Sequence, residues 1–319
     1  ECDEVDLVAV ADVDADKLQT FGQLWNIPPT SRYENHEEML QEEDLDIVSV
    51  ATPTYLHHDH VLDVLHFGDP DAIWCEKPLA SSVREGKKMV EMCDEENTHL
   101  IVNHTSRFTE NLQRLRDLIQ SGIIGNVQSI NATFRMELLR NSTHLLDTII
   151  FLLNSRAELA SGFLTGDVEA TDALGAEAEV DDTGGGGHVS FKDGTFATVD
   201  CTVPREHSTF AYRLVGTDGK IEININEGEW RYWDLQDGRH VESNLEGIEP
   251  DPDEYERGFS NAVDHISDVL ERGAENISPG REALRSLEII VAFYISDYVG
   301  SHVELPLDRP LENVQIKSW

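Results

Sequence analysis

Within the first hundred residues, short apolar runs alternate with segments of helical period, and that order admits few folds. Leu7-Val8-Ala9-Val10-Ala11 reads as a strand ending at Asp12, and Asp14 to Trp25 reads as a helix capped by Asp14. A short helix from Asn35 to Gln41 follows, then a strand over Asp46-Ile47-Val48-Ser49-Val50 that runs into Ala51-Thr52-Pro53. Leu56 to Phe67 is helical and stops at Gly68. Ala72-Ile73-Trp74-Cys75, bounded by turn signals, has the length and apolarity of a buried strand. It is followed by Glu76-Lys77-Pro78, a helix from Ser81 to Asn97, and a strand over His99-Leu100-Ile101-Val102. Strands alternating with helices of this length imply right-handed crossovers and a parallel sheet. Ligands of such sheets sit at the carboxyl ends of the strands, which puts Lys77 where a cofactor and a substrate meet.

The pattern changes after Asn103. A helix over Glu110 to Ser121 ends at Gly122, and long alternating segments follow at Val127–Leu138, His188–Phe191, Thr195–Val203, Phe210–Val215 and Lys220–Asn226. Their alternation and turns such as Lys192-Asp193-Gly194 predict antiparallel strands. One apolar helix, Thr143 to Leu153, interrupts them, and helices at Tyr255–Glu271 and Gly280–Val299 precede a closing strand, His302–Leu305. The predicted architecture is an α/β Rossmann-type parallel sheet domain over residues 1–105, followed by an α+β domain with a large, mostly antiparallel open sheet over residues 106–319. The Gly184 to Gly187 run is not a phosphate loop, because no Lys-Ser/Thr follows it and Asp181-Asp182 precede it. It reads as a flexible entry to a strand.

Sixty-two acidic residues face 24 basic ones, a formal charge of −38. The acid is spread through segments that keep their apolar periodicity, so it reads as the shell of a folded protein. Self-repulsion on this scale destabilises the compact state at low salt, whereas at molar salt the Debye length falls to ~3 Å. A salt-accumulating archaeal cytoplasm is the expected setting. The acidity excludes a basic nucleic-acid footprint and argues against anionic membrane surfaces; no run of 18 apolar residues is present either. Cys2, Cys75, Cys93 and Cys201 form neither a Cys-x-x-Cys pair nor a zinc spacing and are expected to be reduced thiols.

Taken in order, the motifs are Asp12 at an early strand end, Thr52-Pro53-x-x-x-His57, Glu76-Lys77-Pro78, Asn103-x-x-x-Arg107-Phe108, Gly122-x-x-Gly125-x-Val127, Asn141-x-Thr143-His144-x-x-Asp147 and Gly280-Arg281-Glu282-Ala283-Leu284. From about residue 6 to about residue 306 this order resembles the glucose–fructose oxidoreductase / inositol dehydrogenase (Gfo/Idh/MocA) family. The resemblance implies hydride transfer between NAD or NADP and a hydroxyl carbon of a sugar, sugar derivative or polyol. It also implies a homodimer or homotetramer formed through the open sheet.

Residue by residue, Asp12 resembles the acid that binds the adenosine ribose, and Val13 after it leaves no Arg for a 2′-phosphate, which favours NAD. Asp12 also suits a helix cap. Thr52, Pro53 and His57 resemble the dinucleotide contact turn, and Glu76 a nicotinamide-ribose ligand. His57, beside His58 and His60, equally suits a surface helix, and without a second ligand pair no metal site is assigned. Lys77 would stabilise the developing oxyanion, and His144 resembles the general base that takes the hydroxyl proton. His144 also suits a helix-start histidine bonded to backbone. Arg107, Arg140 and Asn141 are candidate substrate ligands, although Arg107 also suits pairing with one of the many acids. Asp147, one turn beyond His144, reads as structural.

The chain departs from the family in two places. No Gly-x-Gly-x-x-Gly turn is present to hold a diphosphate on a helix N-terminus. The chain opens at Glu1 as if mid-protein, so an upstream segment is expected, and the polypeptide as it stands is expected to bind NAD poorly. Many family members also carry Asp four residues before the histidine, where this chain has Arg140. An Arg beside Lys77 would favour an anionic substrate such as a sugar acid or nucleotide sugar. The alternative implied by both departures is a non-catalytic or truncated sugar-binding relative.

Overall fold

The computed structural model describes residues 4–166 and 179–318, which leaves Cys2 outside the described residues. The first unit runs β1 (Val10–Ala11), α1 (Ala15–Leu24), β2 (Arg32–Tyr33), α2 (His36–Glu42), β3 (Ile47–Val50), α3 (Thr54–Phe67), β4 (Ala72–Cys75), α4 (Val83–Glu96) and β5 (His99–Val102). Every strand pair in it is parallel: β1 with β2, and β3-β4-β5 in order. Local chemistry sets the helix starts. The Asp14 side chain accepts the N–H groups of Asp16 and Lys17, and Ser82 accepts that of Glu85, satisfying donors that have no partner inside the helix.

The second unit contains α5 (Glu110–Gln120), β6 (Val127–Arg135), α6 (Thr143–Leu153), β7 (Ala157–Leu164), β8 (Glu179–Asp181), β9 (Gly185–Phe191), β10 (Phe196–Val203), β11 (Ala211–Gly216), β12 (Gly219–Asn224), β13 (Glu229–Gln236), β14 (Arg239–Ser243), α7 (Glu254–Arg272), α8 (Gly280–Val299), β15 (Val303–Glu304) and β16 (Gln315–Lys317). Nine strands form one sheet in the order β14-β13-β12-β11-β6-β10-β9-β7-β15. All neighbours are antiparallel except β6 and β10. One face is covered by α6, buried from Thr143 to Leu152, and by α8. Strand alternation divides the faces: Ile130, Ala132 and Phe134 are buried on β6, while Asn131 between them is exposed.

Three expectations change. The glycine run is not a flexible entry: Gly185, Gly186 and Gly187 are buried residues of β9 itself. Gly187 and Gly162 on β7 let α8 lie directly on the sheet, whereas Gly185 and Gly186 let β9 sit close against the backbones of β7 and β10. A Cβ on Gly187 would stand 2.6 Å from the Phe293 ring, and one on Gly162 would fall within the Phe293 backbone. The strand expected over Val127–Leu138 ends at Arg135, and Leu138–Ser142 form a π-type turn that leads straight into α6. The β13–β14 hairpin was not anticipated, although its Asp237-Gly238 turn, with φ of 49° and 74°, is a strong hairpin signal.

Gly162→Ala tests the close approach of α8. Because the obstacle is backbone, the helix must move, and a loss of ~1–3 kcal/mol is expected from overpacking. A urea unfolding midpoint unchanged from the parent would refute the tight contact.

Candidate active site

The parallel strands bring their carboxyl ends, and the residues that follow them, to one edge of the first unit. After β1, Asp12 donates its backbone N–H to Tyr33 O at 3.1 Å, and its Oδ1 accepts the Asp14 N–H at 2.8 Å. After β3, Thr52 Oγ1 lies 3.0 Å from His60 Nδ1. His57 is 1% exposed, with Nε2 2.8 Å from Thr52 O and Nδ1 2.9 Å from Pro78 O. Burial holds its pKa below the ordinary value, against the pull of the two carbonyls. His57 is therefore wedged between the turns after β3 and β4, and its neutral ring donates to one of the two carbonyls. The contact with a dinucleotide anticipated for it is corrected: neither ring nitrogen is free to make one.

After β4, Glu76 is held at both oxygens. Asn103 Nδ2 donates to Oε1 at 2.6 Å, and the Lys77 backbone N–H to Oε2 at 3.3 Å. Lys77 Nζ donates to the Arg140 carbonyl at 3.3 Å. Burial pulls the Lys77 pKa down to about 8; Glu76 opposes this, and Arg140 and Arg135 add to it. The turn that offers the Arg140 carbonyl is itself pinned. Asp182 accepts the N–H groups of Leu139 and Arg140 at 2.8 and 3.0 Å and the Tyr294 hydroxyl at 2.9 Å.

His144, at the start of α6, is 7% exposed. Phe134, Phe210 and His104 present T-shaped contacts to it at 6.2, 6.0 and 6.3 Å between ring centres. Its Nδ1 is buried without a partner. Burial, then Lys77, His104 and Arg135, push its pKa well below the ordinary value, so the ring is neutral at pH 7.

Two candidate substrate ligands are corrected. Arg107 is 1% exposed, with its guanidinium committed to partners inside the protein. It forms a fork on Asp147 at 2.7 and 2.8 Å, and its Nη1 donates to Glu282 at 2.5 Å and to Ile277 O at 2.7 Å. Burial opposes its charge, but Asp147 and then Glu282 outweigh that and hold its pKa above the ordinary value. Asn141 is 3% exposed; its amide donates to Met136 O at 2.8 Å, and its Oδ1 accepts from Arg135 Nε at 3.1 Å. It shapes the turn and orients Arg135. Arg140 is the one of the three whose side chain reaches solvent, 52% exposed and 3.7 Å from Glu137.

The sequence reading passed over His104, Arg135 and Tyr255. His104 is buried, with Nε2 2.9 Å from Thr143 Oγ1. Its Nδ1 stands 3.3 Å from Asp147 but out of hydrogen-bond alignment. Burial, against the pull of Asp147, pushes its pKa down to about 4. Tyr255, at the start of α7, packs its ring against Phe210 at 6.1 Å and is close enough to Glu76 and Arg135 to feel both charges. His104 adjoins Asn103 within a motif already singled out, and Arg135 is a scarce cation at the end of a legible strand; those were the available signals.

Residues 1–104 match the family model described as an oxidoreductase family with an NAD-binding Rossmann fold, and residues 135–305 match that family's C-terminal alpha/beta domain. The chain belongs to the Gfo/Idh/MocA oxidoreductase family. Among family members, D-apiose dehydrogenase of Paraburkholderia graminis is 26% identical over 96% of this chain and 84% of its own length. The rhizopine catabolism protein MocA of Rhizobium meliloti is 32% identical, over 40% of this chain and 38% of its own. Against that relative the chain therefore aligns over well under half the length. The crystal structure of aldose-aldose oxidoreductase from Caulobacter crescentus superposes with a TM-score of 0.76 at 23% identity, covering 94% of this chain and 91% of that one. Among the described residues, no helix is long and apolar enough to cross a membrane.

Proposed function

We propose that the protein is an NAD(P)-dependent oxidoreductase acting on a hydroxyl carbon of a sugar, sugar derivative or polyol. The observation that carries this reading is a lysine with a pKa near 8, at the turn after β4, close enough to a buried histidine at the start of α6 to help hold it neutral. Functional sites are where burial and like charge shift pKa values in this way. Relatives named as sugar dehydrogenases support the substrate class.

The residues suit a dinucleotide at its two ends. Asp12 would take the adenosine ribose, and Val13 beside it favours NAD over NADP. The Thr52-Pro53 turn and Glu76, held by Asn103, would take the nicotinamide end. A bound nicotinamide supplies the hydride acceptor. Lys77 and His144 then divide the proton chemistry. An imidazolium beside a lysine ammonium in a dry site is costly, so His144 is a poor base. With about a tenth of Lys77 neutral at pH 7, the lysine amine is the better acceptor of the hydroxyl proton. His144 donates a hydrogen bond to the same oxygen. Its proton sits on Nε2, because an unpartnered buried acceptor at Nδ1 is tolerated better than an unpartnered donor.

Assay for reduced nicotinamide formed from NAD⁺ or NADP⁺ with a panel of sugars and polyols, in molar KCl, tests the reading. Turnover of one class supports it. Saturable cofactor binding with no turnover leaves a non-catalytic scaffold. The acidic shell belongs to the same proposal, with a salt-accumulating cytoplasm as its setting and the exposed sheet face as the surface for a second copy. The thermal midpoint is expected to rise as KCl increases from millimolar to molar, since screening relieves the repulsion of 62 acidic against 24 basic residues. A midpoint that falls or stays flat overturns the salt adaptation.

A further inference from the structure

We propose that the substrate carries an anionic group, a carboxylate or a phosphate, and that Arg135 binds it, with Arg140 and Arg205 flanking. The inference rests on the oxidoreductase reading of the same site.

Arg135 is half-buried at the end of β6, and its guanidinium is aimed by two contacts. Nε donates to Asn141 Oδ1 at 3.1 Å, and the plane rests over the Phe134 ring at 4.9 Å. Asn141 is itself fixed on Met136 O at 2.8 Å. The two Nη groups remain as a planar fork, the geometry that matches a carboxylate or phosphate. Phe134 meets the His144 ring edge-on at 6.2 Å, so a single aromatic ring separates the fork from the proposed reacting centre. Val203 on β10 pairs with Arg135, and Arg205 emerges two residues beyond it. Arg140 lies four residues before His144 and gives its carbonyl to Lys77.

The charge balance points the same way. The chain carries −38, with 62 acids to supply partners. Yet Lys77, Arg135 and Arg205 form no salt bridge among the described residues, and Arg140 meets only the exposed Glu137 at 3.7 Å. Burial, then Arg205 and Arg140, lower the Arg135 pKa and outweigh the smaller opposing pull of Tyr255 and Glu137, so repulsion among the cations is only partly relieved. A neutral polyol would leave that repulsion in place, whereas an anion removes it. A local cationic cleft in an acidic protein also focuses the field on anionic ligands.

The test compares matched sugars in molar KCl: hexoses and pentoses, their uronates and aldonates, and their phosphates. kcat/KM is expected to be at least tenfold higher for an anionic member than for its neutral parent. Arg135→Met should lower that ratio at least tenfold, and Arg135→Lys should restore part of it. Preference for the uronates and aldonates assigns a carboxylate; preference for the sugar phosphates assigns a phosphate. Higher activity on the neutral parents, or a ratio unmoved in Arg135→Met, overturns the proposal. If no sugar turns over, the oxidoreductase reading fails separately, and calorimetric titration with the same anionic sugars decides this one. Binding weakened by Arg135→Met upholds it, and absence of binding in the parent protein overturns it.

Discussion

Exchanging Lys77 for Met lowers kcat/KM by about 10²–10⁴-fold, the usual contribution of a positioned acid–base group, and leaves the fold intact. The sign of the pH dependence follows from the same residue. Burial and the neighbouring arginines bring the Lys77 pKa to about 8, so the neutral amine grows as pH rises through that value. In the oxidation direction, where Lys77 receives a proton, kcat/KM therefore climbs through pH 8 and levels above it. In the reduction direction, where the ammonium is required, it falls over the same range. His144 adds no step near neutrality, because its pKa lies well below the ordinary value. Initial rates of the parent and Lys77→Met proteins in both directions read this out. A variant that keeps its turnover and the step near pH 8 would remove Lys77 from the mechanism.

Exchanging Arg107 for Met costs ~3–5 kcal/mol of stability, because it strands Asp147, 2% exposed, in a site that water does not reach. Arg107→Met combined with Asp147→Asn recovers much of that loss, since the uncompensated charge is then gone. Urea unfolding of the parent, the single and the double variant measures both. A substrate-binding arginine would behave differently, raising KM while leaving the urea midpoint in place. A loss below about 1 kcal/mol would return Arg107 to the list of substrate ligands.

Arg107 also marks where a sequence stops being readable. Most elements of the first unit were legible because β3, β4 and β5 are short apolar runs and α1, α2 and α4 start at capping side chains such as Asp14, whereas β2, only Arg32-Tyr33, gave no such signal. Lys77 and the start of α6 at His144 were legible for the same reason: their positions follow from residues next to them. The partners of Arg107 lie 40 and 175 residues further along the chain, so nothing local distinguishes a buried pivot from a substrate ligand. Asn141 misled in the same way, its amide committed to a turn whose shape depends on Asp182. The middle strands were obscured by composition. Ala160-Ser161-Gly162 in the middle of β7 and Gly185-Gly186-Gly187 in β9 are small where α8 and the neighbouring strands press close, and such packing erases the apolar alternation that announces a strand. Arg135 and Arg205 are eight residues past one strand start and two past another's end, and only the register between β6 and β10 brings them together.

The change of sequence pattern near residue 105 looks like a place to cut the chain and exchange modules. The Arg107 bridge says otherwise. Arg107 issues from the connection after β5, and its partners stand on α6 and α8 of the second unit. The main apolar cluster runs without a break from Val48 and Ile73 through Leu146 to Ile290. A chimera that joins this nucleotide-binding half to another substrate half must present both acids to Arg107 at matching positions, or the guanidinium is left buried without them. Substrate preference in this protein is therefore better transplanted by grafting side chains onto the cleft than by swapping halves.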